Sequence, residues 1–393
     1  MILSIFVHSM NKHIMIPISE PSQRKVFALI RALGNASGAN LAKLTGMQPS
    51  SLVYILNNLK DKGLIRVSGQ GVSTSKGGKK PVLWQVNPDY GNIIGLEVMR
   101  HAIRAVIVNL AGDVMLKAEK DFSPGSPDKI VSRILNIISE IITESGQPID
   151  KLLFISLAVP GIVDPVNHKV IYSYGLKLKE FDLKSYIMDA YGVPAGVIND
   201  ANAGAIGDQW FTGLDLSINN SIYLSYNPLA GGMGLGIVIN RKLYTGSNGL
   251  AGEFSIRVPA LSVIIKDKLK SIDASDILLP GFENPDSVNV ADLYASAKKA
   301  CPLSNLVFSE LCKQVASEIS RMIGLFDPDR VTLGGDLSIC EHMCCSEVMH
   351  HLKAMLQIDY PFMMKIPRMD YARPKVFAVA MGATALYLST LND

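Results

Sequence analysis

Two stretches of the chain run through the same order of patterns, and that repetition constrains the fold more than any other feature. Residues 92–122, "NIIGLEVMRHAIRAVIVNLAGDVMLKAEKDF", read as three strands, with Gly112-Asp113 as a hairpin signal between the second and third. "PDKIVSRILNIISEIITES" has the spacing of a long amphipathic helix, and "KLLFISLAV" reads as a buried strand ended by Pro160-Gly161. The order then returns. "SIYLSYN", "GMGLGIVIN" and "RKLYTG" form a second meander, "LVFSELCKQVASEISRMIGLFDP" a long helix and "RVTLGG" a strand. Two halves of like order predict a duplicated α/β lobe with a cleft between the copies, where ligands favour binding.

The first ninety residues follow a different pattern. "SQRKVFALIRAL" places Val26, Phe27, Ile30 and Leu33 at helical spacing, with Ser22 as the expected cap. "GNASG" breaks that helix. "ANLAKLTG" is a short helix with Leu41, Ala42 and Leu44 inward, and "QPSSLVYILNNLKDKGLI" a third through Leu52, Ile55, Leu56 and Leu59, ended by Gly63. Two short helices around a Gly-containing turn match a helix-turn-helix, whose second helix enters the DNA major groove by its N-terminal end. Gln48, Ser50, Ser51 and Tyr54 fall at that end. Gln reads adenine bidentately, and Ser reads several bases. "IRVSGQGVSTSKGGKKPVLWQVN" follows as two β-prone runs around a basic tip carrying Lys76, Lys79 and Lys80. After such a helix pair it reads as a wing that touches phosphate, the alternative being an ordinary exposed loop.

Charge agrees with this division. Residues 1–90 hold 11 Lys and Arg against 3 Asp and Glu, leaving 27 against 32 in the rest. A basic module on a mildly acidic body suits an arm that holds double-stranded DNA. Hydrophobic residues make up 48% and charged residues 19%, which marks a globular chain. No apolar run reaches the roughly 18 residues of a membrane span. "MILSIFVHSM" lacks a basic leader and a cleavage site, which argues against a signal peptide. The five Cys, an odd number and all beyond residue 300, suggest a reducing cytoplasm.

Four further motifs make a resemblance specific. "AVPGIVDP" at 158–165 resembles the Val-Pro-Gly-x-Val-Asp signature of the ROK family (repressors, open reading frames and kinases). "NDANAGAIGD" resembles its Asn-Asp-Ala-Asn-Ala-Ala catalytic segment. "GMGLGIVINRKLYTGSNGLAGEF" resembles its Gly-Ile-Gly-x-Gly turn and the Gly-x-x-Gly-x-Ala-Gly-Glu that follows. "VTLGGDL" resembles its late Gly-Gly motif. The resemblance covers nearly the whole chain and is nearest to the family's N-acetylglucosamine and xylose repressors. It implies an α/β fold: an N-terminal winged helix-turn-helix over 1–88, then over 89–393 the two-lobed actin-like ATPase (ribonuclease H-like) sugar-kinase fold. Lobe one is expected at about 89–207 plus the C-terminal helix 375–393, and lobe two at 208–374.

By the same resemblance, Asp200 stands where the kinases carry the base that takes a proton from a sugar hydroxyl. Asn199 would meet a neighbouring hydroxyl, and Glu253 matches the Glu that binds the sugar. The residues by themselves leave another reading open, in which Asn199-Asp200 caps the helix that follows. Tyr174 stands near the family's Asn-Leu pair, which is missing here; it either stacks on a sugar or simply packs. The kinases' first phosphate turn, Asp-x-Gly-Gly-Thr, is replaced by Glu97-Val98-Met99-Arg100-His101, whose bulk opposes a tight phosphate cradle. Arg100 is expected exposed on a hairpin. "LAGGMGLG" keeps Gly232, Gly234 and Gly236 without the Gly-Thr lead, leaving its glycines a tight turn. The zinc loop is missing: Ile256 stands where the family has a His, and no Cys follows. Cys340, Cys344, Cys345, His350 and His351 crowd one stretch, but helix burial explains them better than a metal.

The expectation is a DNA-binding regulator, a repressor with a sugar effector, acting as a homodimer or tetramer. It carries no metal, no cofactor and no catalytic turnover. An active ATP-dependent sugar kinase and a regulator answering to a protein partner are the alternatives.

Overall fold

The computed structural model describes residues 16–18, 20–72, 80–212, 215, 217–227, 232–253, 258–271, 284–362 and 365–389. The chain divides into two compact units, Met1–Ala203 with Gln209–Leu214 and Ala380–Asp393, and Gly204–Asp208 with Asp215–Val379.

The first unit begins with a winged helix. Helix α1 (Pro21–Leu33) buries Val26, Phe27 and Ile30. Ser22 does not cap it. Glu20 holds the cap position and Pro21 takes the first turn, where a missing N–H costs nothing. Strand β1 (Ala36–Ser37) leads into α2 (Gly38–Thr45), and Ser37 Oγ accepts from the Asn40 amide at 3.2 Å. Of the three residues expected inward on α2, Leu41 is fully buried, while Ala42 and Leu44 are half-buried. Helix α3 (Pro49–Asp61) buries Leu52, Ile55, Leu56 and Leu59 and packs on α1 and α2. Strands β2 (Ile65–Gln70) and β3 (Val82–Val86) pair antiparallel, in a sheet of order β1-β3-β2. They flank the wing tip, where Lys76 and Lys79 lie outside the described residues.

The body of the first unit follows. Strands β4 (Asn92–Val98), β5 (Ala102–Asn109) and β6 (Val114–Asp121) form the expected meander, and α4 (Pro127–Ser145) lays a row of isoleucines against it. Strand β7 (Leu152–Val159) is buried along its whole length. Next come a small sheet of β8 (Ile162–Val163), β9 (Val170–Ser173) and β10 (Leu178–Phe181), then α5 (Leu183–Tyr191), β11 (Ala195–Asn199) and α6 (Asp200–Phe211). The main sheet has the order β11-β7-β4-β5-β6, antiparallel through β4-β5-β6 and parallel through β4-β7-β11.

The second unit repeats this plan. Strands β12 (Ser221–Asn227), β13 (Gly232–Ile239) and β14 (Lys242–Leu243) are antiparallel. Helices α7 (Leu261–Lys268), α8 (Val290–Ala297) and α9 (Pro302–Phe326) precede β15 (Arg330–Gly335), and α10 (Glu341–Asp359) precedes β16 (Arg368–Tyr371). The order β14-β13-β12-β15-β16 again sets three antiparallel strands beside a parallel pair. The duplication expected from the sequence is therefore present at the level of strand order.

The glycines of "GMGLG" do not make a turn. Gly232, Gly234 and Gly236 lie in the β12–β13 ladder opposite Asn227, Ser225 and Tyr223. Strand alternation explains the pattern: the glycines share one face, and Met233, Leu235 and Ile237 are buried on the other.

Helix α11 (Ala378–Ser389) returns to the first unit, where residues 380–389 pack on its main sheet. Tyr387 stacks on Phe154 with ring centroids 4.8 Å apart, and its hydroxyl accepts from the Ile16 amide. The sheet leaves room for the helix backbone only at small residues: a Cβ on Gly95 would stand 2.2 Å from the Ala380 carbonyl oxygen. Replacing Gly95 by Val is expected to destabilise the fold by about 3 kcal/mol or more, because backbone rather than a flexible side chain must move. Urea unfolding checks this through a lower midpoint at unchanged slope.

Candidate functional site

The polar cluster foreseen in "NDANAG" forms where β11 ends and α6 begins. Asn199 is the N-cap: its Oδ1 accepts from the Asn202 amide at 3.0 Å. Its Nδ2 donates to the Gly161 carbonyl at 3.0 Å. Asn199 is buried. Asp200 occupies the first turn, where the helix dipole favours a carboxylate, and its Oδ1 accepts from the Ala201 amide at 2.8 Å. It is half-buried and accessible to a hydroxyl. Capping therefore falls to Asn199, and Asp200 sits beside it in the first turn.

The Val-Pro-Gly-x-Val-Asp segment braces this corner. Gly161 has φ 108°, and a Cβ there would meet the Tyr172 carbonyl at 2.3 Å, so only glycine brings its own carbonyl under Asn199. Asp164 accepts from the amides of Val166 (2.8 Å) and Asn167 (3.0 Å) and from Asn167 Nδ2 (2.8 Å). The bonds from Asn167 hold its carboxyl below the usual range. His168 Nδ1 then meets the Val197 carbonyl at 2.9 Å and ties the turn to β11. The signature is a scaffold for the start of α6.

Tyr174 follows β9 and stays 82% exposed, while Leu176 beside it is buried. Its ring is free of the core and open to stacking. Glu253 belongs to the second unit. Gly252 before it has φ 89°, and a Cβ there would stand 2.0 Å from the Leu235 carbonyl, so the chain lies hard against β13. Burial raises the Glu253 carboxyl above its ordinary value, although the residue as a whole reaches solvent. Ile256 lies outside the described residues.

Met99, Arg100 and His101 make the β4–β5 hairpin, closed by the Met99 amide on the Ala102 carbonyl at 2.9 Å, with Arg100 and His101 exposed. Arg104 draws Glu97 to within 3.7 Å and bonds Glu119 at 2.8 Å. Residues 228–231 lie outside the described residues. The five Cys are all buried; Cys312 and Cys344 sulfurs lie 3.9 Å apart. Desolvation pushes the Cys345 thiol up to about 12. His350 is exposed and His351 half-buried. Among the described residues, no three His, Cys, Asp or Glu side chains converge as metal ligands.

On the reader head, Gln48, Ser50, Ser51 and Tyr54 all lie exposed along α3, and Lys80 is exposed at the base of the wing. Gln48 caps α3 by its backbone alone, which leaves its side chain unused. Val53, Asn57 and Lys60 continue the same exposed stripe and were not singled out from the sequence. Their spacing of three and four from Ser50 was the available signal. One residue within the quoted motifs was given no role from the sequence. Asp208, late in α6, is buried and accepts from Arg330 at 2.5 Å and from Thr332 at 2.9 Å.

A winged helix joined to a body whose β-sheet plan occurs twice defines a protein with an actin-like sugar-kinase fold carrying a DNA-binding head. The ROK family model matches residues 93–255 and 269–390, and the chain belongs to the ROK family. It is 25% identical over 375 residues to a xylose repressor of Caldicellulosiruptor bescii, spanning 90% of this chain and 92% of that protein. A ROK family transcriptional regulator, homologous to the Escherichia coli MLC protein, superposes with TM-score 0.69 at 19% identity, over 95% of this chain and 98% of that one. A ROK family glucokinase from Streptomyces griseus, in complex with glucose and AMPPNP, does so with TM-score 0.66 at 22% identity, over 75% of this chain and 99% of that one. These likenesses establish the fold. Among the described residues no helix is long and apolar enough to cross a membrane.

Asn199→Ala removes both the cap and the bond to Gly161. A loss of about 2 kcal/mol is expected, at the upper end for a cap because a second buried bond goes with it. A thermal melt at fixed pH checks it, with Asn199→Asp as the control that keeps the cap.

Proposed function

We propose that the chain is a sugar-responsive transcriptional repressor. Residues 1–88 read double-stranded DNA, and residues 89–393 bind the effector without phosphorylating it. The observation that carries this reading is the winged helix itself: α3 presents an exposed polar stripe from Gln48 to Lys60, on the basic part of the chain. Gln48, Ser50, Ser51 and Tyr54 face bases; Lys80, with Lys76 and Lys79, faces phosphate. A repressor named for xylose among the relatives supports a neutral sugar as effector. Asn199, Asp200 and Glu253 suit its hydroxyls, and Tyr174 offers an aromatic face for the ring. Phosphoryl transfer needs both positioning and charge stabilisation at the phosphates. The Met99-Arg100-His101 hairpin lacks the glycines that would admit them, so the reading includes no kinase activity, no cofactor and no metal. A homodimer or tetramer in the cytoplasm, on a palindromic site, completes the proposal.

Two measurements test it. The protein should retard a DNA fragment selected from a random library, with affinity falling steeply between low and physiological salt, and D-xylose or N-acetyl-D-glucosamine should release it. With ATP and a panel of aldoses, ADP release should not exceed that of Asp200→Ala. Failure to bind DNA at low salt, or turnover that depends on Asp200, would turn the assignment toward the kinase.

The Glu253 carboxyl gives a signed pH dependence. Its ionised form accepts hydroxyl hydrogen bonds, so sugar affinity should fall as pH drops through its raised pKa. The fall should begin above the pH of an ordinary Glu, about 4.3. Calorimetric titrations across pH should show that slope in the parent chain and lose it in Glu253→Gln.

A further inference from the structure

Arg31 lies on α1 of the reader head, yet it is buried to 8% exposure. Its guanidinium sits over the Trp210 ring at 4.8 Å and the Phe211 ring at 5.1 Å. Those two rings end α6. Asp113, on the β5–β6 hairpin, supplies an opposing charge. Asn109 holds that hairpin stiff: its Oδ1 accepts from the amides of Gly112 and Asp113, and its Nδ2 donates to Asp113 Oδ2, each at 3.0 Å. A Cβ on Gly112 would stand 2.6 Å from Arg31 Nη2, so a side chain at residue 112 would shift the guanidinium from this seat.

The slot is fitted but not fully compensated. Arg31 Nε is buried with no hydrogen-bond partner. Desolvation lowers the guanidinium to about 10 against the pull of Asp113. A leucine would glue these surfaces together at less cost, since a buried charge must recover its lost hydration. A contact that gains stacking on two rings and loses solvation in the same step leaves docked and undocked states close in free energy. The helix that supplies the rings starts at Asn199 and Asp200. Its rise of ~1.5 Å per residue puts roughly 16 Å between Asp200 and Phe211, along one hydrogen-bonded rod.

We infer that Arg31, seated on Trp210 and Phe211, is the joint through which a sugar held at the Asp200 end of α6 changes the seating of the DNA-reading head. The inference rests on the proposed function and adds its route of regulation. Arg31 is a positioning residue that touches neither DNA nor sugar. Loss of the joint should therefore separate the two affinities rather than abolish either.

The test uses the full chain, a DNA fragment selected by that chain, and D-xylose, D-glucose and N-acetyl-D-glucosamine as probes. For the parent, Arg31→Ala, Arg31→Lys and Trp210→Leu, DNA affinity is measured with and without saturating sugar, and sugar affinity separately by calorimetry. The parent should lose DNA affinity by roughly tenfold or more on adding its sugar. In Arg31→Ala and Trp210→Leu that factor should drop to about twofold or less, with sugar affinity within about threefold of the parent. Arg31→Lys keeps the charge without the planar stack and should fall between. Parent-like factors in both Arg31→Ala and Trp210→Leu overturn the joint alone. So does loss of DNA binding by both in the absence of sugar, with melting unchanged, because Arg31 would then serve the head itself. A parent chain whose DNA affinity ignores all three sugars overturns the joint and the proposed effector together.

Discussion

The hydrogen bond from the Asn202 amide to Asn199 Oδ1 sets where α6 begins, and most of the chemistry described above takes its position from that helix. A helix turns about 100° per residue, so a cap displaced by one position would rotate every side chain on it by that angle. Asp200 would leave the first turn. Asp208, buried against Arg330 and Thr332, would lose both partners and carry an uncompensated charge. Trp210 and Phe211 would swing from beneath Arg31. The cap bond itself is worth only about 1 kcal/mol. Its influence lies in registration: the rest of the helix is already committed to partners that tolerate one phase alone.

The motifs shared with sugar kinases separate by what they hold. Some hold backbone. Gly161 needs its φ of 108° whether or not anything is phosphorylated, because its carbonyl braces Asn199. Gly252 needs its close approach to β13 to place Glu253. Those whose purpose is to approach phosphate have no comparable hold. At the β4–β5 turn a hairpin closed by one bond accepts Met, Arg and His in place of glycines, and Arg100 and His101 project into solvent without disturbing the sheet.

What could be read from the residues and what could not follows from the range of the interactions. The doubled strand order was readable because each strand and helix writes its own periodicity locally. The reader helix was readable because Leu52, Ile55, Leu56 and Leu59 mark one face, which leaves Gln48, Ser50, Ser51 and Tyr54 on another. The start of α1 was misplaced by two residues because both Ser22 and the Pro21 step are start signals, and Pro at the first turn prevailed. The glycines at 232, 234 and 236 were read as a turn because their spacing of two looks the same in a loop as on one face of a strand. Asp208 with Arg330 was beyond reach: the partners are 122 residues apart, and neither stands in a pattern that announces burial. Arg31 was hidden for the same reason, in a helix whose periodicity puts it beside Ile30 and leaves its direction open.

Charge distribution adds a constraint that no single contact shows. The head carries an excess of basic residues and the body an excess of acidic ones. At physiological salt such fields fade over a Debye length of about 8 Å, so each part is sensed locally. In the proposed function, non-specific encounters with DNA would favour the basic head. Such encounters need no sequence information, so in the proposed function the exposed stripe of α3 would discriminate bases after the head has arrived. Uncharged Gln48, Ser50, Ser51, Tyr54 and Asn57 suit that second task. A stripe of lysines would add affinity for every sequence equally and blur the distinction the regulator must make. Lys60 sits exposed at the far end of the helix from Gln48. Under the proposed function, a basic periphery and a neutral reading edge would let a modest change in seating, applied at Arg31, register as a change in occupancy of one DNA site.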